Sequence, residues 1–112
     1  MIKNVNILHL APDEKFIDAA YKNFESVAPS CNTFFVPSWD KKLKYIKNTP
    51  VKFINPFSFK NPFFMKSLEK YDFIMLHSLN TFNQRLLANA NPNLTFVWIG
   101  YGYDYYDLIY ED

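Results

Sequence analysis

The sequence predicts an α/β protein of the Rossmann-like class, a three-layer sandwich on a parallel sheet of about five strands. Short apolar runs rich in β-branched and aromatic residues recur along the chain, and helical apolar spacing follows most of them. Such alternation produces right-handed crossovers and therefore parallel strands covered on both faces. Hydrophobic residues make up 49% of the 112 residues, which is enough to form a core.

The first part of the chain predicts a strand, a helix and a second strand. Residues 5–9 form a short apolar run that ends before Pro12, because proline cannot donate to a sheet. The following helix is predicted to stop before Pro29. Its inward face is predicted to consist of Phe16, Ala20, Phe24 and Val27. Residues 33–36 are β-branched or aromatic and predict the second strand.

The middle of the chain predicts two more helices and a third strand. Ser38 is a candidate cap for a short helix. That helix would place three apolar residues on one face: Trp39, Leu43 and Ile46. Residues 51–54 predict the third strand, and Asn61 followed by Pro62 is a cap-plus-first-turn signal for the next helix. That helix is predicted to present Phe64 and Leu68 to the core.

The last third predicts two strands and one helix. Residues 71–77 form the fourth strand and residues 94–99 the fifth. Residues 81–89 form the helix between them, with three residues predicted to face inward: Phe82, Leu86 and Leu87. We predict one domain over residues 1–102, followed by the start of a further segment at 103–112 that looks truncated.

Composition and charge exclude several classes of protein. The net charge of +1 favours no nucleic-acid partner. The single cysteine, Cys31, cannot form an internal disulfide, which fits a reducing compartment. No signal peptide core and no apolar stretch of membrane-spanning length occurs. We therefore expect a cytoplasmic protein, with at most a peripheral contact to the inner membrane.

The first strand–helix turn also excludes the common nucleotide cofactors. Residues 10–15 contain no glycine, whereas a dinucleotide or a phosphate loop needs glycines where the backbone meets phosphate. Asp13 and Glu14 would compete with an anion for the helix start. The sequence contains no Cys-x-x-Cys pair, the pattern that would suggest a metal site. Ser78 lies in no nucleophile elbow, so a serine hydrolase is disfavoured. We expect neither a metal nor a cofactor.

Candidate site residues follow the predicted strands, because open parallel sheets bind ligands at the carboxyl ends of their strands. Catalytic candidates are His9, His77 and Asp104. Candidates for substrate binding are Asp13, Lys15, Ser78, Gly100, Tyr101, Gly102 and Tyr105. The two glycines are the only ones in the chain, and the tyrosines around them offer flat rings of the kind that pack on sugars.

Three of these segments carry a resemblance to a known family. They read LHLAPDEKF at 8–16, LHSL at 76–79 and VWIGYGYDYY at 97–106. In order and spacing they resemble segments of the TDP-Fuc4NAc:lipid II transferases, which transfer 4-acetamido-4,6-dideoxygalactose (Fuc4NAc) in enterobacterial common antigen assembly. The resemblance runs through nearly all of this chain. Proteins of that family continue into a second Rossmann-like lobe of the GT-B type.

The resemblance implies a glycosyltransferase that moves an amino-deoxy sugar from a nucleotide-sugar donor to an undecaprenyl-diphosphate-linked saccharide acceptor. It implies no metal, an amino-terminal lobe that shapes the acceptor side, and a carboxyl-terminal lobe that holds the nucleotide. The present chain alone is then expected to be inactive. An apolar lobe face left uncovered also predicts that the chain associates with itself.

Each candidate also has a structural interpretation. His9 and His77 could instead be buried histidines that hydrogen-bond only to the protein, and the testable point is whether the two lie close together. Asp13 and Asp104 could be helix caps, and Lys15 a solvated cation. The tyrosines could form an interface with a second lobe instead of a sugar platform. The alternative function is therefore a non-catalytic binding or interaction module on the same fold.

Overall fold

The computed structural model describes residues 4–100, which form one parallel five-stranded sheet with helices on both faces. The predicted α/β, Rossmann-like class is confirmed. The strands are β1 (Ile7–Leu10), β2 (Asn32–Pro37), β3 (Val51–Ile54), β4 (Phe73–His77) and β5 (Phe96–Ile99). The helices are α1 (Ile17–Val27), α2 (Pro62–Ser67) and α3 (Thr81–Asn89), with short 3₁₀ turns at Ser58–Lys60 and Leu68–Lys70.

The strand order is β3-β2-β1-β4-β5, so β1 lies at the centre and pairs with β2 on one side and β4 on the other. All four of its residues are buried. The connections from β1 and β2 lead towards one edge, whereas those from β3 and β4 lead towards the other. The boundary between β1 and β4 is the topological switch point, where ligands of such sheets bind.

Side chains alternate between two cores, because successive residues of a strand point to opposite faces. Leu8 and Leu10 of β1 pack in the first core with Leu68 and with Leu86 of α3. The second core lies under α1 and contains Ile17, Phe34 and Val36 with Ile46 from the β2–β3 connection. Two separately packed faces give the three layers that the sequence predicts.

Local signals placed α2 and α3 correctly. Asn61 caps α2 with its side-chain oxygen, which accepts from the backbone N–H of Phe63 at 2.9 Å, and Pro62 occupies the first turn. The predicted bounds of α3 match the structure. The predicted inward positions are wrong at Val27 and Leu87, which are exposed although their neighbours Ala28 and Leu86 are fully buried, because successive residues of a helix point in different directions.

The helix predicted after Ser38 is wrong, because the structure has an irregular segment there. Ser38 Oγ accepts from the backbone N–H of Lys41 at 3.1 Å, and Lys41 has a φ of 58°, so the chain turns instead of continuing a helix. Ile46 still reaches the core. Trp39, which the helix would have turned inward, is exposed.

Two aspartates of the β1–α1 region hold this segment in place. Asp13 accepts the backbone N–H groups of Lys44, Tyr45 and Ile46, the last at 2.9 Å. Asp18 accepts the Thr49 hydroxyl at 2.6 Å and the backbone N–H groups of two neighbouring residues: Lys47 and Asn48. Carboxylates thus satisfy the backbone donors that a helix would have satisfied.

One interpretation of the sequence made Asp13 the cap of α1, and the structure shows that it is not. That helix begins at Ile17, and the residue at its cap position, Phe16, provides no side-chain hydrogen bond. Partial burial raises the pKa of Asp13, but the three backbone hydrogen bonds outweigh it and hold the pKa below its ordinary value. The carboxylate is charged at neutral pH and fully engaged with the chain.

Replacing Asp13 by alanine is expected to lower the free energy of unfolding by about 2 kcal/mol, because it leaves backbone donors without their charged acceptor. Urea denaturation measures the change. Glu14→Ala is the matched control, because the Glu14 carboxylate makes no hydrogen bond to any residue that the structure describes. This variant should change the free energy of unfolding by less than about 0.5 kcal/mol. Equal losses in the two variants would refute the anchoring role of Asp13.

Candidate functional site

The switch point between β1 and β4 brings together the two histidines that the sequence singles out. His9 is the third residue of β1 and His77 the last of β4. In the parallel register His9 lies beside Met75, so His77 extends two positions further on the same face of the sheet. Nδ1 of His9 is 2.8 Å from Nε2 of His77. The expected proximity is confirmed.

A chain of hydrogen bonds links this pair to the protein surface. The Asn32 amide nitrogen donates to Oε2 of Glu25 at 2.8 Å and to the carbonyl of Ala28 at 2.9 Å. The Asn32 amide oxygen lies 2.8 Å from Nε2 of His9 and can only accept, so that nitrogen carries the proton. Nδ1 of a neutral His9 then accepts from Nε2–H of His77.

Aromatic rings enclose the pair. The Phe34 ring stacks on His9 with centroids 4.1 Å apart and planes 3° from parallel, and Phe24 of α1 meets His9 edge-on at 4.6 Å. Both histidines are fully buried. A dissolved ligand therefore cannot touch either ring in this conformation.

Burial keeps both rings neutral. It lowers the pKa of His9 to about 4, although the hydrogen bond to Asn32 and the charge of Glu25 act in the opposite direction. Burial, and to a lesser extent electrostatic repulsion from His9, lowers the pKa of His77 to about 3. A general base at neutral pH needs a pKa near 7 and access to the substrate. The geometry of His9 and His77 therefore suits a role in positioning the ends of β1 and β4 better than a role as a general base.

The turn after β4 is held in a strained conformation. Ser78 is buried and has a φ of 93°, a value that sterically disfavours any residue except glycine. The Asn83 side chain donates to the Ser78 carbonyl at 2.8 Å, and Asn80 accepts from the backbone N–H of Asn83 at 2.9 Å as the cap of α3. Strain held by specific hydrogen bonds at a strand end is typical of functional sites.

The other predicted site residues fall into two groups. Lys15 is exposed, with Nζ 5.6 Å from the centre of the Tyr45 ring. Gly100 directly follows β5 and is half-buried. The remaining candidates lie outside the described residues: Tyr101, Gly102, Asp104 and Tyr105.

Sequence reasoning missed four residues of this region. Glu25 and Asn32 belong to the hydrogen-bond chain, whereas Asn80 and Asn83 lock the turn after β4. Only Asn80 had a local signal, since it precedes a helical pattern in the way caps do. Asn32 acts on His9, which is 23 residues away, and Glu25 acts only through Asn32. Asn83 acts through the backbone conformation of Ser78, which the sequence does not display.

The fold and the switch-point geometry define the class as a Rossmann-like α/β domain with a buried histidine pair. No protein-family model matches the chain, and neither a curated protein nor a solved structure is significantly similar to it. Among residues 4–100, no group of three histidine, cysteine or acidic side chains could hold a metal ion. No helix in that part of the chain could cross a membrane.

Acidification is expected to destabilise the protein between pH 6.5 and about 3. Both histidines have a folded pKa below the unfolded value of 6.5, so the unfolded state binds protons first as the pH falls. Their contribution to stability is complete above pH 6.5 and decreases below it. By pH 5 each histidine should reduce the free energy of unfolding by about 2 kcal/mol.

Two measurements check this expectation. Urea denaturation at a series of pH values should show the loss, and nuclear magnetic resonance should show no histidine titrating above pH 5 in the folded state. Because the chain contains only two histidines, both ring signals are attributable to the pair. A ring that titrates near pH 6.5 in the folded protein would contradict the buried, neutral pair.

Proposed function

We propose that the chain forms the acceptor side of a glycosyltransferase that moves an amino-deoxy sugar, Fuc4NAc or a close analogue, from a nucleotide-sugar donor to a lipid-linked saccharide. The acceptor in this proposal carries undecaprenyl diphosphate and is presented at the cytoplasmic face of the inner membrane. The main support for this proposal is where the fold places the three segments that resemble the Fuc4NAc transferases.

Those segments leave three adjacent strands. Residues 8–16 continue from β1, residues 76–79 from β4, and the described part of the third segment, 97–100, from β5. Because these strands are parallel, their carboxyl ends lie at the same edge of the sheet. Segments 68 and 21 residues apart in sequence, counted from 8 to 76 and from 76 to 97, thus meet around the switch point. Their convergence supports a shared site.

Within this proposal the histidine pair positions the site. Its hydrogen bond joins β1 to β4 just below the turn that contains Ser78. Lys15, on the turn after β1, is exposed and offers a cation to the diphosphate of the acceptor. The nucleotide is proposed to bind a second lobe, as the GT-B resemblance implies.

One observation favours the alternative of a non-catalytic binding module. The two histidines are fully buried and neutral, and each has a protein partner, which is how structural histidines behave. Such a module would keep a ligand site at the strand ends and would perform no chemistry. The assay below separates the two functions.

The test is a mass-spectrometric assay of sugar transfer by the full-length gene product that contains this chain. Donors are a panel of nucleotide amino-deoxy sugars, and the acceptor is a short-chain polyprenyl-diphosphate saccharide. Lys15→Ala should raise the acceptor KM about tenfold and leave kcat within a factor of about two, because binding of the acceptor diphosphate is lost. Lys22→Ala, an exposed lysine on α1, is the control.

Ser78 provides a second variant with a clear expectation. Ser78→Gly removes the hydroxyl at a backbone conformation that suits glycine, so the variant should fold at least as well as the natural chain. A folded Ser78→Gly protein with reduced transfer would show that the buried Ser78 hydroxyl helps to hold the turn that flanks the acceptor site. A folded full-length protein that is inert with every donor would overturn the transferase proposal and favour the binding module.

A further inference from the structure

The charges of this nearly neutral chain are strongly segregated. Residues 37–68 contain seven lysines and one acidic residue, Asp40, for a net charge of +6. The rest of the chain contains five basic and ten acidic residues, for a net charge of −5. The net charge of +1 therefore hides a basic segment, and a charge asymmetry of this size indicates an anionic partner.

Most of the basic segment lies in two neighbouring connections. It comprises the connection from β2 to β3, β3 itself, the connection from β3 to α2, and α2. The backbone N–H of Ser38 donates to the carbonyl of Ile54 at 2.9 Å, so the two connections leave the sheet side by side. Trp39 of the first and Phe57 of the second meet with ring centroids 5.4 Å apart.

Two aromatic side chains are exposed on these loops, and a third is exposed at the start of α2, which directly follows the second loop. Trp39 is 67% exposed, Phe57 is 49% exposed, and Phe63 in the first turn of α2 is 85% exposed. Rings left this open contribute little to the core, so folding does not account for them. An exposed apolar group of this kind marks an interaction surface.

Lysines lie near two of the exposed rings, Phe57 and Trp39. Nζ of Lys60 lies 5.4 Å from the centre of the Phe57 ring. Lys41 and Lys42 follow Trp39, and their backbone N–H groups are held by Ser38 Oγ and Asp40 Oδ1 at 3.1 Å each, which shapes the loop tip while both side chains stay exposed. Rings and cations are thus presented together.

We propose that this aromatic-lysine surface docks the protein on an anionic lipid bilayer. It consists of Trp39, Lys41, Lys42, Phe57, Lys60 and Phe63. Tryptophan and phenylalanine insert at the level of the lipid headgroups, while lysines reach the anionic headgroups above them. Each lysine near such a surface contributes about fivefold to binding, which follows from about 1 kcal/mol per charge.

Two features favour a bilayer over a nucleic acid. The basic segment contains no arginine, the residue whose planar group stacks on bases and grips phosphate with two hydrogen bonds. Phe63 is almost entirely exposed at a helix start, whereas base stacking uses rings that line a groove. The shape and the cation type both suit insertion between lipid headgroups.

Docking on a bilayer is a property separate from sugar transfer and does not depend on it. The surface lies at the carboxyl ends of β2 and β3, the same edge of the sheet as the proposed acceptor site. A bilayer bound there would face that edge. Binding to vesicles requires neither donor nor acceptor, so the docking proposal and the transferase proposal can fail separately.

The test is sedimentation of the chain with vesicles of phosphatidylcholine alone and with vesicles that also contain phosphatidylglycerol. We expect binding to the anionic vesicles that weakens as salt rises above about 0.15 M. Lys41→Ala with Lys42→Ala should lower the partition coefficient at least about tenfold. Lys22→Ala with Lys70→Ala removes the same charge from exposed positions elsewhere and should change it less than about threefold.

A second pair of variants tests the rings. Trp39→Ala with Phe63→Ala should lower binding about tenfold, whereas Val27→Ala with Leu87→Ala, exposed apolar positions on other elements, should leave it unchanged. Circular dichroism checks that each variant is folded. Equal binding to neutral and anionic vesicles, equal losses in test and control pairs, or binding to a single-stranded oligonucleotide without binding to vesicles would each overturn the proposal.

Discussion

The buried hydrogen bond between His9 and His77 is the constraint on which the centre of this protein depends. β1 has no exposed residue, so its one polar side chain must find partners inside the protein. It finds His77 on β4 and Asn32 on β2, and therefore ties the central strand to both neighbours. An unpaired ring in this position would cost the full desolvation of a polar group. The same bond sets the strand ends that flank the switch point.

The β2–β3 connection shows how a fold can replace a helix with side-chain acceptors. Asp13 and Asp18 supply the oxygen atoms for backbone N–H groups that no helix satisfies. Both aspartates belong to the β1–α1 unit, so this unit shapes its neighbour directly. Because the segment stays open, Ile46 can enter the core while Trp39 remains at the surface. The exposed ring of the aromatic-lysine surface thus depends on two carboxylates at the other side of the loop.

Ligand recognition and membrane contact are proposed at the same edge of the sheet but on different strands. The strained turn at Ser78 follows β4, and the aromatic-lysine surface follows β2 and β3. Carboxyl ends of parallel strands leave the sheet as loops, where side chains are not needed for packing. This division lets the two loop groups diverge in chemistry on one rigid sheet. A lipid-linked acceptor would need both loop groups, because its saccharide lies in water and its lipid carrier lies in the bilayer.

The sequence by itself determined the fold class, the five strands and the bounds of α3, because apolar periodicity and caps such as Asn61 are local signals. It also singled out His9 and His77, whose positions at strand ends follow from the parallel topology. Only the tertiary structure decided that the histidines are buried and neutral, that Ser78 is strained, and that residues 38–50 are not helical. These properties depend on Asn32, Asn83 and Asp13, which act across long sequence separations or through backbone geometry, and local pattern does not encode such contacts.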